Sequence, residues 1–239
     1  IQVAITHLAM DQDLTLATKT PALEAILGGH EHINYASHSG KTPIYKADAN
    51  ARTIYEHMLY WQPGCKELQI VSHLIEVNPL TPQEPATKAV IDEWLVFRDT
   101  TLIAQGFDPY EVIYTTQEPL DATEHSIRSH QTNMGTLIAN AARQYAGTPD
   151  LAFVNSGSIR LDGYVKGEVQ QLDILKTLPY GGALVRSEFS GELLLKTLNT
   201  SEQDCKTIGS YLQYSSELTL QGTDWLLNGE PIESAKQYD

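Results

Sequence analysis

Residues 23–32 read LEAILGGHEH, and the opening residues 1–8 read IQVAITHL. Each segment joins a short run rich in branched aliphatic side chains to histidine, and such runs predict buried β-strands. Ligands collect at the carboxyl ends of strands in open α/β sheets, so the histidines that follow these strands are candidates for a binding site. Gly28 and Gly29 allow the backbone to turn tightly beside such a ligand. The two segments therefore predict a sheet with a site at its edge.

The sequence pattern divides the chain into three regions. Residues 1–80 alternate predicted strands and turns, and they include a hairpin formed by residues 52–61 and 66–77. Residues 81–108 begin with prolines and acids and continue with apolar residues at helical spacing, which predicts a connecting helix. Residues 109–239 mix helical and strand patterns. The chain is therefore expected to be a mixed αβ protein with two domains joined by a helix.

The last region is predicted to alternate strands and helices. Strands are expected at 110–116, 150–155, 183–189 and 211–220, and helices at 133–147, 172–179 and 191–199. The Asn-Gly pair at 228–229 is a hairpin-turn signal.

The composition limits the classes of function. The net charge of −14 argues against a nucleic-acid polymer as partner, because phosphate backbones attract basic surfaces. A small phosphorylated ligand is still compatible with this charge, because it needs only a few local cations or metals. No run approaches the roughly 20 apolar residues that span a bilayer, and no secretory signal is visible. Cys65 and Cys205 are expected to be free thiols, although a disulfide between them is left open.

The histidines suggest a metal site that lacks its acidic partners. His7, His30 and His32 follow two predicted strands, and imidazole suits divalent zinc, manganese, iron or nickel. Sites with two metal ions about 3.5–4 Å apart also need carboxylates to offset the charge. Asp11 and Asp13 are the nearest acids, but they open a predicted helix, where carboxylates favour the N-terminal end. The carboxylates of a complete site are therefore missing from this chain.

A second group of residues suggests a pocket for an anion attached to a ring. Arg128 and Arg160 lie near asparagine, glycine and serine in predicted loops, and Tyr180 lies in a Pro-Tyr-Gly-Gly turn. Arginine holds carboxylate or phosphate through a planar fork of donors. An aromatic ring offers a flat face to a planar ligand. These residue types together favour a pocket for a ligand of this kind.

Both groups of motifs resemble one family. VAITHL, LEAILGGHEH and TPIYKADANAR resemble the second half of a calcineurin-like metallophosphoesterase domain. IRSHQTNMGTLIANAAR, LAFVNSGSIR, LPYGGALV and FSGELLLKTL are similar, in this order, to the C-terminal domain of the 5'-nucleotidase family. The resemblance implies the remnant of a metallophosphoesterase β-sandwich at 1–80. It also implies a connecting helix at 81–108 and an αβ 5'-nucleotidase C-terminal domain at 109–239, truncated at its end.

The resemblance also implies roles for individual residues. His7 and His30 would ligate one divalent metal ion and His32 a second, with zinc or manganese as typical ions. No catalytic residue is expected in this span, because the family's Asp-x-His and Gly-Asn-His motifs would lie upstream of residue 1.

On the C-terminal side, the resemblance places Arg128, Asn155, Gly157 and Arg160 at substrate-binding positions. Tyr180 takes the place of an aromatic residue that stacks on the nucleobase.

Four positions depart from the family pattern. Ser156 and Ser158 replace glycines, Asn140 replaces an aspartate, and Tyr180 replaces a phenylalanine. The serines are expected to tighten their loop or to add donors. The tyrosine keeps the ring and adds a hydroxyl group.

The implied function is metal-dependent hydrolysis of nucleotide phosphate esters. Four alternatives remain open: a 2',3'-cyclic-nucleotide phosphodiesterase/3'-nucleotidase, a UDP-sugar hydrolase, a thiosulfohydrolase, or a nucleotide-binding module without catalysis if no upstream half exists. Periplasmic or cell-surface localisation is expected from the family. A homodimer or a complementing fragment is expected to cover the apolar strand at residues 1–6.

Overall fold

The structure is a computed structural model that describes residues 1–64 and 68–239. Cys65 lies outside these residues, so its predicted state is not addressed, whereas Cys205 is a half-buried free thiol. The chain divides into two units, residues 1–89 and 90–239, and each is described by itself.

The first unit begins with a four-stranded sheet and one helix. The elements are β1 (Val3–Thr6), α1 (Met10–Lys19), β2 (Ala25–Gly28), β3 (Tyr35–Ser39) and β4 (Thr42–Lys46). The strand order is β1-β2-β4-β3, in which β1, β2 and β4 run parallel and β3 is antiparallel. The register pairs Thr6 with Gly28 and Gly28 with Lys46, so the three parallel strands end at the same level.

The core of this sheet is small. Ala17, Ile26 and Ile44 are buried together, and apolar residues of α1 pack against them. Along β4 the side chains of Thr42, Ile44 and Lys46 are buried, whereas their neighbours are only partly buried. This period of two is expected for a strand with one face on the core.

The predicted hairpin of residues 52–61 and 66–77 is confirmed. It consists of β5 (Thr53–Tyr60) and β6 (Gln69–Glu76), paired antiparallel over their full length. The rings of Tyr45 on β4 and Tyr55 on β5 lie 5.3 Å apart, so the hairpin contacts the sheet.

The helix predicted between the two strand-rich regions is also confirmed. It is α2 (Pro85–Ala104), and it begins with proline, whose fixed φ suits the first helical turn. None of its residues is buried, and Trp94 and Phe97 are 65% and 60% exposed.

The second unit consists of short helices and small sheets. Its strands are β7 (Val112–Asp121), β8 (Phe153–Asn155), β9 (Tyr164–Gln170), β10 (Phe189–Ser190), β11 (Leu212–Tyr214), β12 (Leu218–Gln221), β13 (Asp224–Leu227), β14 (Glu230–Pro231) and β15 (Gln237–Tyr238). Its helices are α3 (Glu124–Ile127), α4 (Asn133–Tyr145), α5 (Gln171–Thr177) and α6 (Gly191–Asp204). The antiparallel pairings are β7 with β9, β8 with β11, β10 with β15, and β12-β13-β14 in series. The predicted mixed αβ class is therefore confirmed.

Two apolar clusters form the core of this unit. One contains Leu194 and Leu198 of α6 with Trp225 of β13. The other contains Ile127 and Met134 of the α3–α4 region with strand residues of β7 and β9. The two clusters hold α4 and α6 against the small sheets. The candidate binding residues lie in loops that connect the helices and strands of this unit.

Two strand predictions in this unit are wrong in extent. Residues 181–188 contain no strand, and only Phe189–Ser190 at the end of the predicted segment pairs. Leu184 and Val185 are 50% and 80% exposed, so their branched side chains have no sheet face to pack on. The predicted strand 211–220 is two strands, β11 and β12, separated by a turn. The turn at Asn228 and Gly229 is confirmed, with φ values of 52° and 83°.

Candidate functional sites

His7 and His30 approach one another at the carboxyl ends of β1 and β2. Their ring centroids lie 5.2 Å apart, with the planes inclined at 76°. Two imidazoles that share a tetrahedral zinc ion, with Zn–N distances of about 2.0–2.1 Å, have centroids roughly 5 Å apart. The His7–His30 pair therefore has the spacing of two ligands to one ion.

His32 follows in the same loop, which has an unusual backbone. His30 and His32 have φ values of 101° and 63°, in the region that residues other than glycine seldom adopt. The carbonyl oxygen of His32 accepts a hydrogen bond of 3.1 Å from the amide of Ala49. Strained backbone of this kind persists only where surrounding contacts hold it, and it concentrates at functional sites.

The predicted metal ligands do not form a complete metal site among the described residues. Among residues 1–64 and 68–239, no group of three or more His, Cys, Asp or Glu side chains is arranged to hold a metal ion. The pair described above is compatible with an ion, but neutral imidazoles supply no negative charge to offset it.

Gly28 is required where the two strands meet. A Cβ atom at this position would lie 2.7 Å from Oγ1 of Thr6 and 3.3 Å from Cε of Lys46. The absence of a side chain thus leaves room for the lysine beneath the histidine loop.

Lys46 is the centre of a buried charge cluster that the sequence motifs did not indicate. Its ammonium group lies 2.9 Å from Oδ2 of Asp13, 2.7 Å from Oε2 of Glu31 and 2.6 Å from the carbonyl oxygen of Leu8. The side chains of Lys46 and Asp13 are fully buried. Asp11 is exposed in the first turn of α1, as expected, but Asp13 serves as a buried counter-charge instead of a solvated helix-end charge. Helical spacing turns Asp13 toward the sheet, and this explains the difference.

The contact between Lys46 and Glu31 favours the charged form of both groups. Burial disfavours the ammonium form of Lys46, but the contacts with Glu31 and Asp13 outweigh it and raise the pKa of Lys46. Burial also disfavours the carboxylate of Glu31, yet the hydrogen bond from Lys46 and further favourable contacts lower the pKa of Glu31. The alternation along β4 was the available signal, because it places Lys46 on the same buried face as Ile44.

In the second unit, the loop after β8 is fixed by its own side chains. Nδ2 of Asn155 donates to the carbonyl oxygen of Gly209 over 3.2 Å, and Oγ of Ser158 donates to Oδ1 of Asn155 over 2.8 Å. The amide of Gly157 also donates to the Gly209 carbonyl, over 2.8 Å. A Cβ at residue 157 would lie 2.9 Å from that oxygen, so glycine is needed there. Ser158, one of the departures from the family pattern, therefore orients the Asn155 amide.

The backbone of Arg128 contacts the turn at residues 205–209, which also contacts the loop after β8. Its carbonyl oxygen accepts a hydrogen bond of 2.7 Å from the amide of Thr207. Its guanidinium pairs with Glu124 at 2.6 Å, and its buried Nε has no hydrogen-bond partner. The side chain is 22% exposed. An anion at this position would have to share the guanidinium with Glu124.

Gln213 holds the loop that carries Arg128. Its Nε2 donates to the carbonyl oxygens of Ile127 and His130 over 2.8 and 2.7 Å, and its Oε1 accepts from the amide of Thr132 over 2.9 Å. The residue is fully buried, and these bonds satisfy its amide on both sides of Arg128. No sequence pattern singled out Gln213, because a glutamine in a short strand gives no periodic signal.

Arg160 and Tyr180 flank α5. The amide of Arg160 donates to the carbonyl oxygen of Thr177, the last residue of α5, over 2.8 Å. Tyr180 follows in the next turn and is 67% exposed.

A cavity of about 680 Å³ lies beside Tyr180. Asn155, Ser158 and Tyr180 line it, with an apolar wall that includes Phe153 and Leu184. The structure thus brings Asn155 and Tyr180 to one cavity, whereas Arg128, Gly157 and Arg160 are not part of its lining.

Asn140, one of the departures from the family pattern, makes a contact between a helix and a turn. Its Oδ1 accepts a hydrogen bond of 2.9 Å from the amide of Ser216. This bond connects α4 to the turn after β11.

Residues 112–239 match the family model described as the 5'-nucleotidase C-terminal domain. This match takes in more than half of the chain, and the chain therefore belongs to the 5'-nucleotidase family.

Several known proteins are similar over larger parts of the chain. The trifunctional nucleotide phosphoesterase protein YfkN of Bacillus subtilis (strain 168) is 23% identical over 207 residues, which are 82% of this chain and 14% of YfkN. The 5'-nucleotidase of Vibrio vulnificus (strain CMCP6) is 31% identical over 161 residues, which are 62% of this chain and 29% of that protein. The chain thus spans less than a third of the length of these curated relatives.

The fold has a solved counterpart. The crystal structure of the 5'-nucleotidase precursor from Thermus thermophilus superposes with a TM-score of 0.76 at 20% sequence identity. The superposition covers 97% of this chain and 51% of that chain, so the likeness extends over both units. Within the described residues, no helix is long and apolar enough to cross a membrane.

Proposed function

We propose that this chain is part of a metal-dependent enzyme that hydrolyses nucleotide phosphate esters, with the second unit binding the nucleotide. The match of residues 112–239 to the 5'-nucleotidase C-terminal domain is the observation that carries the proposal. Periplasmic or cell-surface localisation is proposed with it, on the same resemblance.

The first unit would contribute metal ligands. His7 and His30 would hold one divalent ion, zinc or manganese, and His32 a second; the 5.2 Å ring contact supports the first pairing. Bound divalent ions polarise a phosphoryl oxygen and lower the pKa of a bound water. The carboxylates and the catalytic residues would lie upstream of residue 1.

The second unit would orient the nucleotide. Asn155 can offer its amide to the ligand because Ser158 fixes its orientation. The exposed ring of Tyr180 would stack on the base, a role that suits an aromatic side chain with one open face. Arg160 and Arg128 would hold the anionic end through charge-assisted hydrogen bonds.

A second candidate function is a nucleotide-binding module without catalysis. It is favoured by the incomplete set of metal-binding side chains among the described residues. The parent reading frame separates the two candidates, because the enzyme requires an upstream segment with Asp-x-His and Gly-Asn-His motifs. The purified 239-residue chain gives a second test. With added manganese or zinc, we expect it to release phosphate from AMP at less than about a tenth of the complete enzyme's rate, because neutral imidazoles alone do not balance two cations.

Steady-state kinetics of the Arg160→Ala variant in the complete protein tests the nucleotide site. We expect KM for AMP to rise roughly 10- to 100-fold, because a charge-assisted hydrogen bond contributes about 1.5–3 kcal/mol. Lys166→Ala is the matched control, since it removes an exposed cation from β9 of the same unit. Tyr180→Ala should also raise KM, whereas Tyr180→Phe should keep most of the affinity. Unchanged kinetics in Arg160→Ala and Tyr180→Ala with AMP and UDP-glucose would reject the site.

A further inference from the structure

We propose that Lys46 is a positioning residue whose buried ammonium group sets the distance between His7 and the loop of His30 and His32. The functional meaning of this role rests on the proposed metal binding by these histidines. Its hydrogen bonds reach Leu8 and Glu31, which are sequence neighbours of the histidines. Lys46 would therefore act through the segments that carry the histidines.

The ammonium group of Lys46 has three close oxygen partners, two through hydrogen bonds and one through an ion pair. One hydrogen bond goes to the carbonyl oxygen of Leu8, the residue directly after His7. A second goes to Glu31, the residue between His30 and His32. The third position faces Asp13 of α1 at 2.9 Å. Two of the three lysine donors thus connect the segments that carry the histidines, and the ion pair with Asp13 holds Nζ from a third side.

The register of the sheet brings the ends of three strands together. Thr6, Gly28 and Lys46 lie side by side on β1, β2 and β4. The segments that follow β1 and β2 therefore emerge beside the end of β4. Lys46 extends beneath both of them, because Gly28 has no side chain to block its path. No other cation among the described residues is fully buried at this edge of the sheet.

The loop that carries His30 and His32 has a strained backbone. His30 and His32 both have positive φ values, a conformation that residues other than glycine seldom adopt and that persists only where other contacts impose it. The Glu31–Lys46 bond lies between the two strained residues and is only slightly exposed. Releasing this bond removes one contact that connects the strained loop to Lys46 and, through the lysine, to Leu8 beside His7.

A comparison of Glu31→Ala with Glu31→Gln tests the proposal in the full chain. Glutamine keeps an acceptor for Lys46, whereas alanine removes it. Glu56→Ala is the control, because it removes an exposed carboxylate from β5 of the same unit. The first measurement is the nuclear Overhauser contact between the His7 and His30 rings, recorded without metal. We expect the contact in wild type, Glu31→Gln and Glu56→Ala, and its loss in Glu31→Ala.

The second measurement is zinc affinity, determined by competition with a chromophoric chelator. We expect Glu31→Ala to bind zinc about 10- to 100-fold more weakly than wild type, the range typical for the loss of a partner that orients metal ligands. Glu31→Gln should stay within about threefold of wild type.

A second variant reaches the same contact from the lysine. Lys46→Met combined with Asp13→Leu removes the two fully buried charges together, so that only the partly exposed carboxylate of Glu31 loses its partner. We expect this double variant to lose the His7–His30 ring contact while its circular dichroism stays that of wild type.

The outcomes separate the two proposals. An intact ring contact and unchanged zinc affinity in Glu31→Ala would overturn the positioning role. An equal loss of zinc affinity in Glu31→Ala and Glu31→Gln, with the ring contact intact, would make Glu31 a ligand and also overturn it. If wild type binds no zinc while the ring contact still depends on Glu31, the positioning role holds and the proposed metal assignment fails.

Discussion

At the scale of the residue, Lys46 and Asp13 depend on one another. Both side chains are fully buried, and the 2.9 Å contact between them compensates two charges that would each be costly alone. Neither carboxylate oxygen of Asp13 has a hydrogen-bond partner within the described residues, so the ion pair with Lys46 is what compensates its charge. The pair is therefore a point at which one substitution leaves an uncompensated charge in the core.

This dependence gives a stability prediction. Lys46→Met should lower the free energy of unfolding of the first unit by about 3–5 kcal/mol, because the Asp13 carboxylate stays buried without its partner. Urea denaturation followed by circular dichroism measures the change. Adding Asp13→Leu should recover most of the loss, because the fully buried unpaired charge is then gone and only the partly exposed carboxylate of Glu31 lacks its partner. A loss below about 1 kcal/mol in the single variant would show that water reaches Asp13.

The same residues show what a single sequence reveals at this scale. The histidines at strand ends were visible because the apolar runs stop at them. Lys46 lies on the buried face of an alternating strand, yet lysine is so commonly exposed that the pattern alone did not mark it as buried. Gln213 was beyond prediction, because its role depends on backbone carbonyls of Ile127 and His130 that are distant in sequence.

At the scale of the element, α4 packs against β11 through a glycine. A Cβ at Gly135 would lie 1.9 Å from Oε1 of Gln213, whose side chain is locked by three hydrogen bonds. The side chain cannot move aside without breaking bonds to Ile127, His130 or Thr132. Glycine near the start of α4 is thus a requirement of packing.

The Gly135→Ala variant therefore shows which of two opposing effects is larger, the gain in helix propensity or the clash with Gln213. In an exposed helix this change would stabilise by about 1 kcal/mol. Here we expect destabilisation by about 1–3 kcal/mol, the usual cost of overpacking a core. Thermal unfolding by calorimetry measures it. Gly182→Ala is the control, because space around Gly182 is open and the change should be nearly neutral. A rise in Tm for Gly135→Ala would contradict the packing of Gln213.

Helices and strands are predictable from the sequence where the periodic pattern of apolar residues is long or where two strand patterns flank a turn. The helix at Pro85–Ala104 and the hairpin of β5 and β6 were visible from many residues in period. The segment 183–189 was predicted as a strand on local composition alone, but a strand also needs a neighbour to pair with, and composition does not reveal one. The short strand β3 was missed for the opposite reason, because its residues, Tyr-Ala-Ser-His-Ser, are mostly polar.

At the scale of the whole molecule, β1 lies at an edge of its sheet. Within the described residues it pairs only with β2, and Ile5 and Ile1 are 89% and 67% exposed. An apolar edge strand of this kind is a template for pairing with another chain. Two units of mixed αβ structure could be inferred from the sequence, but the exposure of this edge required coordinates.

We therefore expect the purified chain to self-associate. Sedimentation velocity at tens of micromolar should show dimers or larger species, and Ile5→Lys should shift the distribution toward monomer, because a charged edge residue opposes strand pairing. Gln105→Lys adds the same charge at an exposed position in the other unit and should leave the distribution unchanged. A monomeric wild-type chain would reject the edge as an association surface.

The three tryptophans differ sharply in their surroundings. Trp225 is 3% exposed, and its Nε1 donates to Oδ1 of Asn199 over 2.9 Å, whereas Trp61 and Trp94 are 52% and 65% exposed. Indole emission shifts to shorter wavelength in an apolar environment, and acrylamide quenches only the indoles that it can reach. The blue, unquenched part of the protein's fluorescence should therefore come from Trp225 alone. With acrylamide present, the remaining tryptophan fluorescence reports on the core around α6. It should not change when the conformation of the β5–β6 hairpin changes.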